Sequence, residues 1–230
     1  MIGIIKIYFI HLGEPGTVFR APDDCWMHLD QSMNRRGLHA YQGAVYLEET
    51  TEKDYCFRVM HGSHEYHSEF YAAFPKAAER SKKSDFYKCT ATERMWYENN
   101  GCQIVSVSVP KGGIVLWDSR TVHDNIAPLM GRPNTDRWRC VCFVSMTPAI
   151  WAEKEDIEFK NKAYAVIAMT THWSSQGQAR MTSDGEYNEK LSIRRLPQIA
   201  RTKDAKLIMG IDLYNFNDGE ANGPPKPIWK

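Results

Sequence analysis

The sequence has no C-x-x-C pair among its six cysteines, no apolar run near membrane-spanning length, and almost no net charge. Each absence removes a class of protein. Cys25, Cys56, Cys89, Cys102, Cys140 and Cys142 carry neither a zinc-knuckle nor a disulfide-framework spacing, which fits a reducing, cytoplasmic setting. A membrane helix needs roughly 20 consecutive apolar residues. The apolar opening, residues 1–10, is broken by Lys6 and no small-residue cleavage site follows, so it is expected to be a first strand rather than a leader. A net charge of +1 supplies no field for nucleic acid or an anionic membrane. Gly-x-Ser-x-Gly, Walker-type and dinucleotide fingerprints are missing, as are internal repeats.

What remains is 230 residues of ordinary globular composition, 43% hydrophobic and 25% charged, enough for one full-sized core. Period-two patterning and turn residues predict short strands at 4–10, 16–20, 26–31, 38–48, 55–60, 103–109, 114–118 and 137–146. Pro22-Asp23-Asp24 separates the second from the third. Residues 103–118 read as a strand, a Pro-Lys-Gly-Gly turn and a returning strand. Helical spacing appears at 65–80, 92–99 and about 150–168, and 169–230 reads as a wrapping tail. The expectation is a single mainly β domain over 1–230. It has an antiparallel sandwich or small-barrel core at about 4–148, a helical insert at 65–100, and a helical C-terminal region from 149.

Chemistry concentrates around His28-Leu29-Asp30. On a strand, alternation puts His28 and Asp30 on one face, where both could ligate one metal ion. A buried hydrogen-bonded pair is the plainer reading. His123, between strand 114–118 and a Pro/Gly-rich loop at 124–136, is the best third ligand for a two-histidine, one-carboxylate triad that leaves positions open. Arg137 and Arg139 share a face of the predicted strand 137–146, and a charge there needs a partner. That partner could be a dicarboxylate held by the planar fork, or Asp118, Asp124 or Asp136 of the chain itself. Gln42 and Tyr46 could face the same cavity or pack in the core. Trp117 could border a substrate, although it and Trp138 are more simply read as packing. Arg35 and Arg36 read as solvated loop residues that could meet an anionic substrate. His61, His64 and His67 straddle a Gly-Ser turn, which argues against a zinc site.

Four stretches in order resemble the phytanoyl-CoA dioxygenase-like group of iron(II)/2-oxoglutarate-dependent oxygenases. They are His28-Leu29-Asp30, the run Phe57-Arg58-Val59-Met60-His61-Gly62-Ser63-His64, residues 113–123 ending in His123, and Asn134-Thr135-Asp136-Arg137-Trp138-Arg139. The resemblance covers about residues 15–148. It implies a double-stranded β-helix (jelly-roll, cupin-like) core, iron(II) held by His28, Asp30 and His123, and use of 2-oxoglutarate and O2. It also implies an arginine for the distal carboxylate of 2-oxoglutarate, Arg139 with Arg137 in reserve and Gln42 nearby. Related halogenating enzymes lack the carboxylate ligand, so Asp30 favours hydroxylation or another oxidation over halogenation. Two departures stand out. Members usually carry more sequence before the first ligand, so cover on that side is expected to be reduced; and His61 replaces the proline of a Pro-Gly-Ser-His turn.

Three functions are open on the sequence: a small-molecule hydroxylase of this type, a non-catalytic jelly-roll binding module, and a cupin-type metalloenzyme that does not use 2-oxoglutarate. A small-molecule partner is expected in each, with no nucleic acid or membrane; the oligomeric state is not legible.

Overall fold

A computed structural model describes residues 2–10, 19–21, 25–137, 139–168, 170–176, 196–219 and 225–227, with backbone alone for 2–10. Trp138, the Pro22-Asp23-Asp24 break and most of the strand expected at 16–20 lie outside the described residues. The chain divides into two compact units. One comprises residues 7–39, 43–142 and 227–230; the other comprises 1–6, 40–42 and 143–226.

Among the described residues nine strands form two antiparallel sheets with flanking helices. The five-stranded sheet has the order β5 (Tyr87–Lys88), β2 (His28–Leu29), β8 (His123–Ile126), β4 (Cys56–His61), β6 (Gln103–Val107). The four-stranded sheet has the order β1 (Ile2–Ile10), β9 (Arg139–Thr147), β3 (Tyr41–Tyr46), β7 (Ile114–Asp118). Successive strands β2, β3, β4 and β6, β7, β8, β9 alternate between the sheets. Such winding is that of a jelly-roll, or double-stranded β-helix, the architecture expected from the sequence.

That winding corrects the hairpin expected at 103–118. β6 and β7 each exist, but they belong to different sheets. The turn between them is real, closed by the Gly113 amide on the Pro110 carbonyl at 2.9 Å, with Gly112 at φ +79. It hands the chain across to β3, where the Tyr46 amide bonds the Gly113 carbonyl at 2.9 Å. Alternation records which face a residue takes, and says nothing of which strand lies alongside.

Register explains the inner and outer faces of the five-stranded sheet. Lys88, His28, His123, Val59 and Val105 stand in one row across it. Their chain neighbours Tyr87, Leu29, Val122 and Met60 point the other way, into a core completed by Phe70, Tyr71, Ala77, Ala78 and Tyr97 of the helices. Those helices are α1 (His67–Ala73), α2 (Pro75–Ser81) and α3 (Ala91–Asn99). The single helix expected at 65–80 is thus two, after a 3-10 turn at Ser63–Tyr66. Pro75 causes the break, keeping Phe74 out of the helical region (ψ 75) and starting α2 at its own first position. Thr90 and Glu93 form a capping box at the start of α3. The insert also contributes β5, a two-residue edge strand that is too short to read in sequence.

In the other unit, α4 (Lys154–Ala165) fills the helix expected at 150–168, and its Glu153/Asp156 capping box sets its start. The expected tail contains a further helix, α5 (Lys203–Met209), capped by Thr202 and stopped at Gly210. All six cysteines are free. Among the described residues no helix is long and apolar enough to cross a membrane.

Candidate metal centre

His28 and His123 are brought together by one backbone pairing. They are directly opposed across β2 and β8, which places their rings side by side at 4.4 Å between centroids. Asp30 follows two residues on, beyond the end of β2. Its Oδ1 lies 3.6 Å from His28 Nε2, and its Oδ2 lies 3.5 Å from His123 Nε2. Ligand atoms of all three residues fall within 4.8 Å of one another, and both histidines are buried. His123 was expected in a loop mouth. It sits instead on a buried strand, which the polar run His123-Asp124-Asn125 hides from any propensity argument.

The imidazoles are oriented as ligands need to be. His28 Nδ1 donates to the Trp26 carbonyl at 3.3 Å, and His123 Nδ1 donates to the Thr121 carbonyl at 2.9 Å. With the proton fixed on Nδ1, both Nε2 lone pairs turn toward Asp30. Burial, reinforced by the neighbouring His123, pushes the His28 pKa down to about 4, so this ring is neutral near pH 7. Burial also opposes charge on His123, but the hydrogen bond and charge of Asp30 outweigh it and raise that pKa. Two imidazole nitrogens and one carboxylate in a partly dry site suit a divalent transition metal, which would take the place of that proton.

The turn after β2 is held by Gln31, which is fully buried. Its Nε2 donates to the carbonyls of Arg35 and Gly37, both at 2.8 Å, and its Oε1 accepts from Ser119 Oγ at 2.7 Å. Its own carbonyl accepts from His67 Nε2 and from the Tyr71 hydroxyl, both at 3.0 Å. Around the histidines stands an aromatic wall. Trp26 stacks on His28 at 4.6 Å, Phe86 lies 4.8 Å from His28, and Trp117 lies 5.2 Å from His123. Trp117 also packs on Phe57 at 4.5 Å, so it borders the ligands while serving the core.

The two arginines part company. β9 begins at Arg139, so Arg137 stands outside the strand and the two do not share a strand face. Arg137 pairs with Glu49 at 3.0 Å and Asp54 at 3.4 Å. The acidic 48–54 loop supplies its partners, while Asp118 and Asp124 are engaged by Arg120 and Arg58. Arg139 is buried, and its Nη2 donates to Asn125 Oδ1 at 2.7 Å. Asn125 is two residues beyond His123, hence on the same face of β8 as that ligand. Arg139 also lies over the Tyr55 ring at 5.0 Å and acts on the Tyr46 hydroxyl, whose pKa burial raises and Arg139 draws back.

Arg35 corrects a second expectation. Rather than solvated, it is buried with its fork on Asp85, both contacts at 3.1 Å, so it is a structural cation. Arg36 is exposed. Gln42 is buried on β3, among the residues that group with the other unit. His67 is bound to Gln31 and His61 is exposed; among the described residues the triad is the one metal-competent cluster. Asp124, one of the partners expected for Arg137 or Arg139, is paired instead with Arg58, for which no partner was expected. The signal was present: Arg58 is a lone cation in an apolar strand, and the reasoning applied to Arg139 demands a buried partner for it as well.

A jelly-roll carrying a buried two-histidine, one-carboxylate cluster also has counterparts among known proteins, to which part of this chain is similar. Residues 17–125, just under half of the chain, match the model of the phytanoyl-CoA dioxygenase (PhyH) family. The match contains all three candidate ligands and ends before Arg139. Ava biosynthesis cluster protein O of Aspergillus versicolor is 26% identical over 151 residues, which cover 64% of this chain and 47% of that protein. The chain therefore spans about half the length of the curated relative it matches. Among solved structures, similarity extends to the non-heme α-ketoglutarate-dependent carbocyclase SnoK from nogalamycin biosynthesis. It is 17% identical with a TM-score of 0.39, covering 61% of this chain and 48% of SnoK. EctD from S. alaskensis, solved with iron and with 2-oxoglutarate and 5-hydroxyectoine, reaches 0.38 at 15% identity in its apo form, covering 64% of this chain and 46% of EctD.

Proposed function

We propose that this chain is an iron(II)/2-oxoglutarate-dependent oxygenase that hydroxylates a small organic molecule. The observation that carries this reading is the ligand geometry: two Nε2 atoms and a carboxylate converge within 4.8 Å, and each imidazole is locked by its Nδ1 on a backbone carbonyl. When bound, iron(II), 2-oxoglutarate and O2 supply the oxidation of a C–H bond, with the co-substrate converted to succinate and CO2.

The chain's part is to hold and orient. His28, Asp30 and His123 would hold the ion through three neighbouring positions and leave the rest open. Arg139 offers a buried, permanently charged fork on the His123 side of β8, suited to a distal carboxylate. Asn125, which accepts from Arg139, fixes where that fork points. Trp26, Phe86 and Trp117 line the ligands with apolar rings, against which the apolar part of a substrate could rest.

Anaerobic titration of the metal-free protein should give one iron(II) per chain, and the loaded protein should convert 2-oxoglutarate to succinate. His28→Ala and His123→Ala should abolish both. Full succinate formation by either variant, or no iron binding by the wild type, would overturn the reading. Activity that survives without 2-oxoglutarate would instead favour a cupin-type metalloenzyme.

A further inference from the structure

Asp124 directly follows a candidate ligand and is a fully buried carboxylate, a costly placement unless its contacts are good. Its Oδ1 accepts from Arg58 Nε at 2.8 Å and its Oδ2 from Arg58 Nη2 at 2.6 Å, a bidentate pair across β4 and β8. Those strands are already registered by four residue pairs running from Cys56↔Ile126 to Val59↔His123, so they do not need the ion pair to find one another. What the carboxylate adds is a third contact: Oδ2 also accepts the backbone N–H of Trp26 at 3.3 Å.

Trp26 is thereby fixed at two points on β8, since its indole Nε1 donates to the Asn125 carbonyl at 2.6 Å. The same residue holds His28 in two ways. Its carbonyl receives the His28 Nδ1–H, and its ring stacks on the imidazole at 4.6 Å with 14° between planes. The three consecutive residues of β8 therefore divide the work. His123 is a ligand, while Asp124 and Asn125 grip the residue that aims the other histidine.

We propose that the Arg58–Asp124 pair is a positioning device for the metal centre, acting through Trp26 to set the His28 imidazole against His123. This rests on the reading of His28, Asp30 and His123 as metal ligands. Asp124 and Arg58 are positioning residues; neither would touch the ion. Loss of the pair lets Trp26 shift, and Trp26 carries both the carbonyl that fixes the His28 tautomer and the face that fixes the ring plane. Outer contacts of this kind are worth roughly 10–100-fold in metal affinity.

The test uses the metal-free full chain, with iron(II) affinity measured by anaerobic calorimetry and cobalt(II) as a visible-absorption probe of ligand geometry. Asp124→Asn should weaken iron(II) by roughly 10–100-fold and alter the cobalt(II) spectrum. Arg58→Lys, which keeps the charge but not the fork, should recover part of the loss. Trp26→Phe keeps the stack and the backbone contact while removing the indole donor. It should fall in the same direction by less, and it tests the idea even if Asp124→Asn does not fold. Folded Asp124→Asn or Trp26→Phe protein with affinity within about twofold of wild type and an unchanged cobalt(II) spectrum would overturn the proposal. If the wild type binds neither ion, the ligand reading itself has failed, a result distinct from normal wild-type binding with unaffected variants.

Discussion

Gln31→Leu should be one of the more damaging substitutions outside the ligands, although it changes neither ligand identity nor side-chain volume by much. The wild-type side chain makes three hydrogen bonds, to the Arg35 and Gly37 carbonyls and from Ser119 Oγ. At a net ~0.5–1.5 kcal/mol each, their loss amounts to about 1.5–4.5 kcal/mol. That is a large share of the ~5–15 kcal/mol typical of a domain. Leu fills most of the space, so the cavity contribution is small and the measured loss reports the hydrogen bonds. Urea unfolding followed by Trp fluorescence gives the value. A cycle with Ser119→Ala isolates one bond, and the coupling should be about 0.5–1.5 kcal/mol. Because Gln31 follows Asp30 directly, the folded variant should also bind iron(II) more weakly. A loss below about 1 kcal/mol, together with additive single and double variants, would refute the view that this side chain holds the Asp30 turn.

Other predictions concern the co-substrate, pH and a helix cap. Arg139→Met should raise the 2-oxoglutarate concentration for half-saturation at least tenfold while iron(II) binding persists. Arg137→Met, whose guanidinium is committed to Glu49 and Asp54, should leave it within about twofold; the two titrations together decide which arginine serves. Burial pushes the His67 pKa down to about 4 from an ordinary 6.5. Between those values the unfolded chain binds the extra proton, so stability is present above pH 6.5 and is lost as pH falls through 4. The loss is about 3 kcal/mol at 1.36 kcal/mol per pH unit. Unfolding at pH 7.5 and 4.5 should show a loss on acidification in the wild type that is smaller in His67→Gln by most of that amount. Thr90→Ala removes the α3 cap and should cost about 1 kcal/mol in the same assay, with metal binding unchanged.

The convergence of His28, Asp30 and His123 was legible because the chemistry of a metal site is written in residue type and local spacing. His28-x-Asp30 needs only a short extended segment, and His123 follows a readable strand. The surroundings were less legible, for reasons particular to each. β8 reads as His-Asp-Asn-Ile because its side chains answer to the histidine–carboxylate cluster and to the pairing with Arg58 and Arg139 rather than to strand propensity. β6 and β7 showed clear alternation, yet their partners are set by a winding that no local period encodes. Arg35 looked solvated beside Arg36 because its partner, Asp85, is 50 residues away. The Pro75 break was visible in the sequence, and helical spacing on both sides masked it.

The three candidate ligands are not held alike, and that difference has consequences. His28 and His123 are opposed in a single backbone register, and each ring is tied again at Nδ1. To separate them the sheet itself must open. Asp30 lies past the end of β2, and its position depends on a turn fastened by the side chain of Gln31. The turn is the softer restraint, since a few side-chain hydrogen bonds can yield without loss of the sheet. The two histidines therefore form the fixed half of the site and Asp30 the adjustable half. Replacing Asp30 with Ala should leave a folded protein whose paired histidines still hold a divalent ion weakly. Replacing either histidine removes part of the rigid frame. The reading fails if Asp30→Ala unfolds the chain while His28→Ala does not.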